Sequence, residues 1–137
     1  MPFVVDASVA LGWCFEDEAS EYAERVFEQL NEENKALVPS IWPLEVANGL
    51  LVAERRGRLS SAKVARTAEV VTQLPVSIQD AQPELALGAV LDLARAQGLT
   101  AYDAAYLELA MREGLPLATQ DEALRAAAQR VGVPLLD

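Results

Sequence analysis

Apolar residues along this chain follow two rhythms, short unbroken runs and a helical beat, and the two alternate. Phe3 to Val5 is unbroken and rich in β-branched residues, the pattern of a strand buried on both faces, and Asp6 ends it abruptly. A helix through Val9 and Trp13 is expected next. Between Glu16 and Glu33, Tyr22, Val26 and Leu30 recur at helical spacing among eight acids, which predicts an amphipathic helix with a solvated acidic face. Ala36 to Val38 reads as a second strand. In PSIWPLEVANGLLVAERRG, Leu44, Ala47, Leu51 and Val52 line one face of a helix that Gly57 ends. LSSAKVARTAEVVTQL is a further helix, stopped by Pro75, and Val76 to Ile78 is a weak strand. Pro83 starts a helix reaching about Gln97, and Thr100 caps one reaching about Arg112. Leu115 to Ala118 is a strand, and a helix from about Asp121 to Val131 leads into a last strand over Pro134 to Leu136.

Strands alternating with helices predict an α/β fold, a three-layer α/β/α sandwich around a mainly parallel central sheet. The 137 residues show no linker, internal repeat or low-complexity segment, so a single domain over residues 1–137 is expected, burying about two thirds of the surface of its unfolded form. No apolar stretch reaches the roughly 18 residues of a membrane span, and MPFVVDAS lacks the charged start of a signal peptide. The expectation is a soluble, cytoplasmic protein without membrane contact.

Composition narrows the chemistry sharply. The chain has no histidine and one cysteine, Cys14. That excludes an internal disulfide, the usual Cys/His zinc sites, Ser-His-Asp and Cys-His nucleophiles, and histidine acid–base work. No GxxxxGK[ST] or GxGxxG follows a strand. Chemistry must run on carboxylates, whose hard oxygens suit Mg²⁺ or Mn²⁺.

Ligands of parallel sheets gather beyond the carboxyl ends of the strands, which singles out acids just after strands or in the first turns of following helices. Asp6, Glu45, Asp103 and Asp121 qualify. A helix of about 1.5 Å per residue followed by a strand of about 3.3 Å per residue returns Asp121 to the end of the sheet that Asp103 left. Each acid also has a structural reading. Asp6 or Ser8 can cap the first helix; Asp103 stands three residues after Thr100; Thr119 and Glu122 have capping-box spacing, and Asp121 reads as a helix cap. Glu45 resists that reading, because IWPLEVANGLL surrounds it with apolar residues, where a carboxylate needs a partner or a metal.

Charge adds a second feature. Eleven Lys and Arg against 21 Asp and Glu give a net −10, the wrong sign for a general nucleic-acid binder. Five of the eleven bases nevertheless cluster, as Arg55, Arg56, Arg58, Lys63 and Arg66. Such a stripe can track a phosphate backbone, and the alternative is solvation of two helix ends.

Taken in order, VVDASVALGW, PLEVANGLL, LTAYDAAYLELA and LATQDEAL resemble the motifs of PIN-domain ribonucleases, specifically the VapC toxins of bacterial and archaeal toxin–antitoxin systems. The resemblance spans essentially the whole chain. It implies a metal-dependent endoribonuclease whose acidic site is Asp6, Glu45, Asp103 and Asp121, with Ser8 as the small hydroxyl of a D-x-S/T pattern and Asn48 and Thr119 as pocket contributors. It implies Mg²⁺ or Mn²⁺ as cofactor, hydrolysis of RNA to a 5′-phosphate and a 3′-hydroxyl, a homodimer, and a cognate VapB-like antitoxin whose C-terminal segment reaches the acids. A net charge of −10 favours a basic wrapping segment.

Other classes share parts of this pattern. A receiver domain also places acids at strand ends but needs a lysine beside the first acid, and Lys35 and Lys63 are poorly placed for it. A phosphatase of the haloacid-dehalogenase type needs an acid where Ser8 stands. A PIN-like binding module without activity would be marked by failure to bind divalent metal.

Overall fold

Short parallel strands must be covered on both faces, so they read as continuous apolar runs, and such runs form the centre of the protein. The computed structural model describes residues 1–18 and 20–137. Strands β1 (Phe3–Val5), β2 (Ala36–Pro39), β3 (Val76–Gln79) and β4 (Leu117–Ala118) make one parallel sheet in the order β3-β2-β1-β4. All three residues of β1 are buried. Helices α1 (Ala7–Cys14) and α2 (Glu21–Gln29) join β1 to β2, and α3 (Trp42–Arg55) and α4 (Ser61–Thr72) join β2 to β3. The return from β3 to β4 runs through α5 (Pro83–Leu85), a π-helical turn over Ala86–Val90, α6 (Leu91–Gln97) and α7 (Ala101–Glu113). Helix α8 (Glu122–Val131) follows β4.

The first two crossovers step one way along the sheet and the third steps back past β1. Right-handed connections therefore put α1 to α4 on one face and α5 to α7 on the other, giving three layers. Helix α7 packs across β1, β2 and β4, while α1 packs on α2 and α3. Helices α1 and α3 approach closely at Gly49, where a Cβ atom would lie 2.6 Å from Leu11 Cδ2. The connection leaving β1 and the one entering its neighbour β4 thus lie on opposite faces of the sheet. That switch point opens a crevice at the carboxyl ends of the two strands.

Four expectations are corrected. The stretch from Glu16 to Glu33 is not one helix: Glu16–Glu18 is a 3₁₀ turn, Ser20 caps α2 by accepting from the Ala23 N–H at 3.0 Å, and α2 stops at Gln29. Ala19, inside that stretch, lies outside the described residues. Residues Leu44, Ala47 and Leu51 do not face the core; Leu44 is 67% exposed, and α3 buries Trp42, Val46, Leu50 and Ala53 instead. An almost wholly apolar helix offers two faces of helical period, and here α3, packed on α1 and α4, buries the other one. The strand over Leu115 to Ala118 is only Leu117–Ala118, and Pro134 to Leu136 forms a single parallel bridge, Leu117 to Leu135, in place of a strand. Pro134 has no N–H to extend that ladder.

Candidate active site

Asp6 is both the last residue before α1 and its N-cap, with extended backbone (φ −88°, ψ 173°). Its Oδ1 accepts from Ser8 Oγ at 2.7 Å and from the Val9 N–H at 3.2 Å, and its Oδ2 accepts from Thr119 Oγ1. The capping reading and the site reading therefore coincide on one carboxylate. Asp6 is 5% exposed. Burial, and to a smaller extent the charge of Asp103, push its carboxyl from 3.8 up to about 6 against the hydrogen bonds that favour the ionised form.

Thr119 faces Asp6 across the switch point. It is completely buried, and it does not cap α8 as its spacing from Glu122 predicted; Asp121 does, accepting from the Leu124 N–H at 2.8 Å. The Thr119 hydroxyl spends its proton on Asp6 and accepts from the Asp121 N–H at 3.0 Å. One side chain thus ties two of the acids together. The Gln120 N–H donates to Ser8 Oγ at 3.2 Å, closing the β4–α8 loop over the start of α1.

Asp103 lies in the first turn of α7, whose N-cap Thr100 accepts from the Asp103 N–H at 3.1 Å. Partial burial and then the charge of Asp121 raise its carboxyl above the usual range. Glu45 lies in the first turn of α3, half-buried, and its Oε1 accepts from Tyr106 Oη at 2.5 Å. Burial, Glu45, Asp6 and Asp103 together raise the Tyr106 hydroxyl, so it remains a proton donor at every ordinary pH.

The four acids therefore meet at one end of the sheet. Asp6 and Asp103 feel each other, as do Asp103 and Asp121, and Tyr106 senses Glu45, Asp6 and Asp103. All four stand at or within the first turn of α1, α3, α7 and α8, where helix dipoles favour negative charge. Asn48, exposed on α3, lines a shallow cleft of about 300 Å³ with Ile41, Leu44, Glu45 and Tyr102 at the edge of this site.

The basic stripe is elsewhere. Arg55 is at the far end of α3, about 15 Å along the helix from Glu45, with Arg56 its C-cap; Lys63 and Arg66 are on α4. Arg58 binds Asp17 at 2.7 Å and stacks over Phe15 at 5.0 Å. No lysine stands beside Asp6: Lys35 precedes β2 at the opposite end of the sheet and pairs with Glu32 at 3.5 Å.

Sequence reasoning missed Tyr106 and Arg125. Tyr106 is on the same α7 face as Asp103, three residues on, and a hydroxyl on an otherwise apolar buried face was its signal. Arg125 donates to the Thr119 carbonyl at 2.9 Å and stacks over Tyr22 at 5.4 Å. Nothing in its local sequence marked it.

Among the described residues, no three Asp, Glu or Cys side chains close into a cage around one ion. Mg²⁺ does not ask for one, since it keeps several waters and takes one or two carboxylates. Oxygen-only donors, mutual repulsion among acids and hydroxyls that orient them fit such a cation.

The PIN domain family matches residues 3–130. Ribonuclease VapC3 of Pyrobaculum aerophilum is 33% identical over 124 residues, covering 90% of this chain and 92% of that protein. The crystal structure of PAE2754 from the same organism superposes with a TM-score of 0.72 at 28% identity, over 93% of this chain and 79% of that one. FitAcB from Neisseria gonorrhoeae (TM-score 0.68, 18% identity, 100% and 97% covered) shares the fold, as does Mycobacterium tuberculosis VapC20, a sarcin-ricin loop cleaving toxin (0.66, 16%, 93% and 95%).

Proposed function

The chain belongs to the PIN domain family, with a VapC ribonuclease as a relative over nine-tenths of its length, and from that premise we propose that it is a metal-dependent endoribonuclease, the toxin of a toxin–antitoxin pair. The observation that carries the reading is the meeting of Asp6, Glu45, Asp103 and Asp121 at the β1/β4 switch point, where burial and, to a smaller extent, a neighbouring acid raise the carboxyls of Asp6 and Asp103. These residues would hold Mg²⁺ or Mn²⁺, which when bound supplies a Lewis acid for the phosphodiester and lowers the pKa of water.

The chain's own groups do the positioning. Ser8 and Thr119 hold Asp6 by donating one proton each, so its two oxygens have fixed directions. Tyr106 holds Glu45 in the same way from the opposite face of the sheet. Arg125 fixes the Thr119 carbonyl and with it the loop that carries Asp121. Parallel strands end at a common level, so the acids form a rigid edge against which an RNA phosphate can be aligned. In this proposal RNA is cut by water attack, leaving a 5′-phosphate and a 3′-hydroxyl. A basic segment of a VapB-like antitoxin covers the acids when the toxin is silent, and the active form is a homodimer. The stripe of Arg55, Arg56, Arg58, Lys63 and Arg66 is proposed to track the RNA backbone away from the cut.

Incubating the chain with structured RNA and mapping the ends tests the activity. Cleavage is expected with Mg²⁺ or Mn²⁺, poorly with Ca²⁺, and not at all in excess EDTA. Full cleavage in EDTA would overturn the metal reading. Absence of cleavage together with failure to bind Mn²⁺ would favour the inactive binding module instead.

A further inference from the structure

Tyr106 is 1% exposed on the buried face of α7. Its hydroxyl reaches across to the first turn of α3 and donates to Glu45 Oε1 at 2.5 Å. Among the described residues no other side-chain hydrogen bond reaches that carboxylate, so this single proton decides where Glu45 points. The contrast with Asp6 is sharp, because three donors fix Asp6 through both of its oxygens. Glu45 has the longer side chain and keeps Oε2 free of protein donors. The Tyr106 hydroxyl also lies within the fields of Asp6 and Asp103, which makes it the neutral polar group shared by three of the acids.

We propose that Tyr106 is a positioning residue whose hydroxyl fixes the Glu45 carboxylate with Oε2 turned toward the space shared with Asp6 and Asp103, and thereby sets the affinity of the acids for a divalent cation. The inference rests on the reading of these acids as a cation site. A phenol suits the task better than an amide or a lysine. It gives one proton to one oxygen, adds no charge to the cluster, and its ring belongs to the buried core, so the donor arrives without exposing the helix. Groups that orient ligands in this way typically change metal affinity by about tenfold or more when removed.

The test uses the full chain and Mn²⁺ alone, with free Mn²⁺ read by its paramagnetic resonance signal and a thermal melt beside each titration. Tyr106→Phe keeps the ring and removes the hydroxyl; its Mn²⁺ affinity is expected to fall about tenfold. Glu45→Gln is expected to fall as well, and adding Tyr106→Phe to it is expected to cause no further loss, because the hydroxyl acts through the Glu45 carboxylate. Glu45→Asp leaves the core untouched, keeps the charge and draws the carboxylate back by one methylene from the hydroxyl; it too is expected to bind about tenfold more weakly. Equal loss from Tyr106→Phe in the parent and in Glu45→Gln would make the hydroxyl a structural contact only and overturn the proposal, as would unchanged affinity in Tyr106→Phe whatever Glu45→Asp does. A parent chain that binds no Mn²⁺ overturns the cation reading itself and this inference with it, whereas a parent that binds while the variants match it overturns the inference alone.

Discussion

Replacing Asp6 with Asn separates a helix cap from a buried charge. The folded protein holds the Asp6 carboxyl at about 6 against 3.8 for an ordinary aspartate. The fold binds its proton more tightly than the unfolded chain does, so the stabilising contribution is complete below about pH 4 and is lost as pH rises through 6. At 1.36 kcal/mol per pH unit the loss is about 3 kcal/mol. Asn has no such titration. Its carbonyl can still accept from Ser8 and Val9, but its amide can only donate to Thr119 Oγ1, leaving the buried Thr119 proton without its acceptor, at a penalty of about 1–2 kcal/mol. The balance predicts a crossover in metal-free buffer. Asp6→Asn should be about 1–2 kcal/mol more stable than the parent above pH 6 and about 1–2 kcal/mol less stable below pH 4. For a chain of this size that is a melting difference of about 3–6 °C of opposite sign at the two ends. Melts across the range in EDTA measure it, and an RNA cleavage assay run beside them should show most activity lost. A melting difference that does not change with pH, with cleavage intact, would refute the argument and leave Asp6 a plain cap.

Thr119→Val removes both the proton given to Asp6 and the acceptor of the Asp121 N–H from a completely buried position; urea melts at pH 7 should show a loss of about 1–3 kcal/mol, and no loss would mean those bonds contribute nothing. Reversing Lys63 and Arg66 together to Glu should weaken RNA binding, reduce its logarithmic salt slope by about two and leave Mn²⁺ affinity unchanged; unchanged RNA affinity would assign the stripe to helix-end solvation or to a protein partner.

The parts legible in the sequence were those governed by local pattern. Unbroken apolar runs gave β1 and β2 because parallel strands at the centre of a sheet are covered on both sides, the edge strand β3 showed only as a weak run, and Thr100 marked the start of α7 because its hydroxyl meets an N–H three residues on. Legibility failed where tertiary contact chose between local equals. Helix α3 is apolar around most of its circumference, and only tertiary packing, on α1 and α4 among others, decides that Trp42, Val46, Leu50 and Ala53 go inside. Thr119 has a cap's spacing, yet Asp6 lies nearer its hydroxyl through a strand pairing that sets Val5 beside Ala118, residues 113 apart from one end of the bond to the other. Tyr106 and Glu45 are 61 residues apart and meet only because α7 and α3 converge on one end of the sheet.

That convergence also explains how a folded protein can keep four acids together at all. Burial and like charges at short range both destabilise the ionised state that gathers them, and together, burial first, they raise the carboxyls of Asp6 and Asp103. A parallel sheet offsets this in two ways. It aims the N-termini of α1, α3, α7 and α8 at the same end, so each acid stands in the positive end of its own helix dipole. It also brings neutral hydroxyls from neighbouring elements within reach, Ser8 and Thr119 for Asp6 and Tyr106 for Glu45, each giving a proton without adding a charge that would compete with a cation. Lysine or arginine in those places would stabilise the metal-free protein more and weaken the proposed hold on a divalent ion. The acids are thus stabilised enough to fold and left short of neutralised, which is the condition under which binding a cation stabilises the native state further.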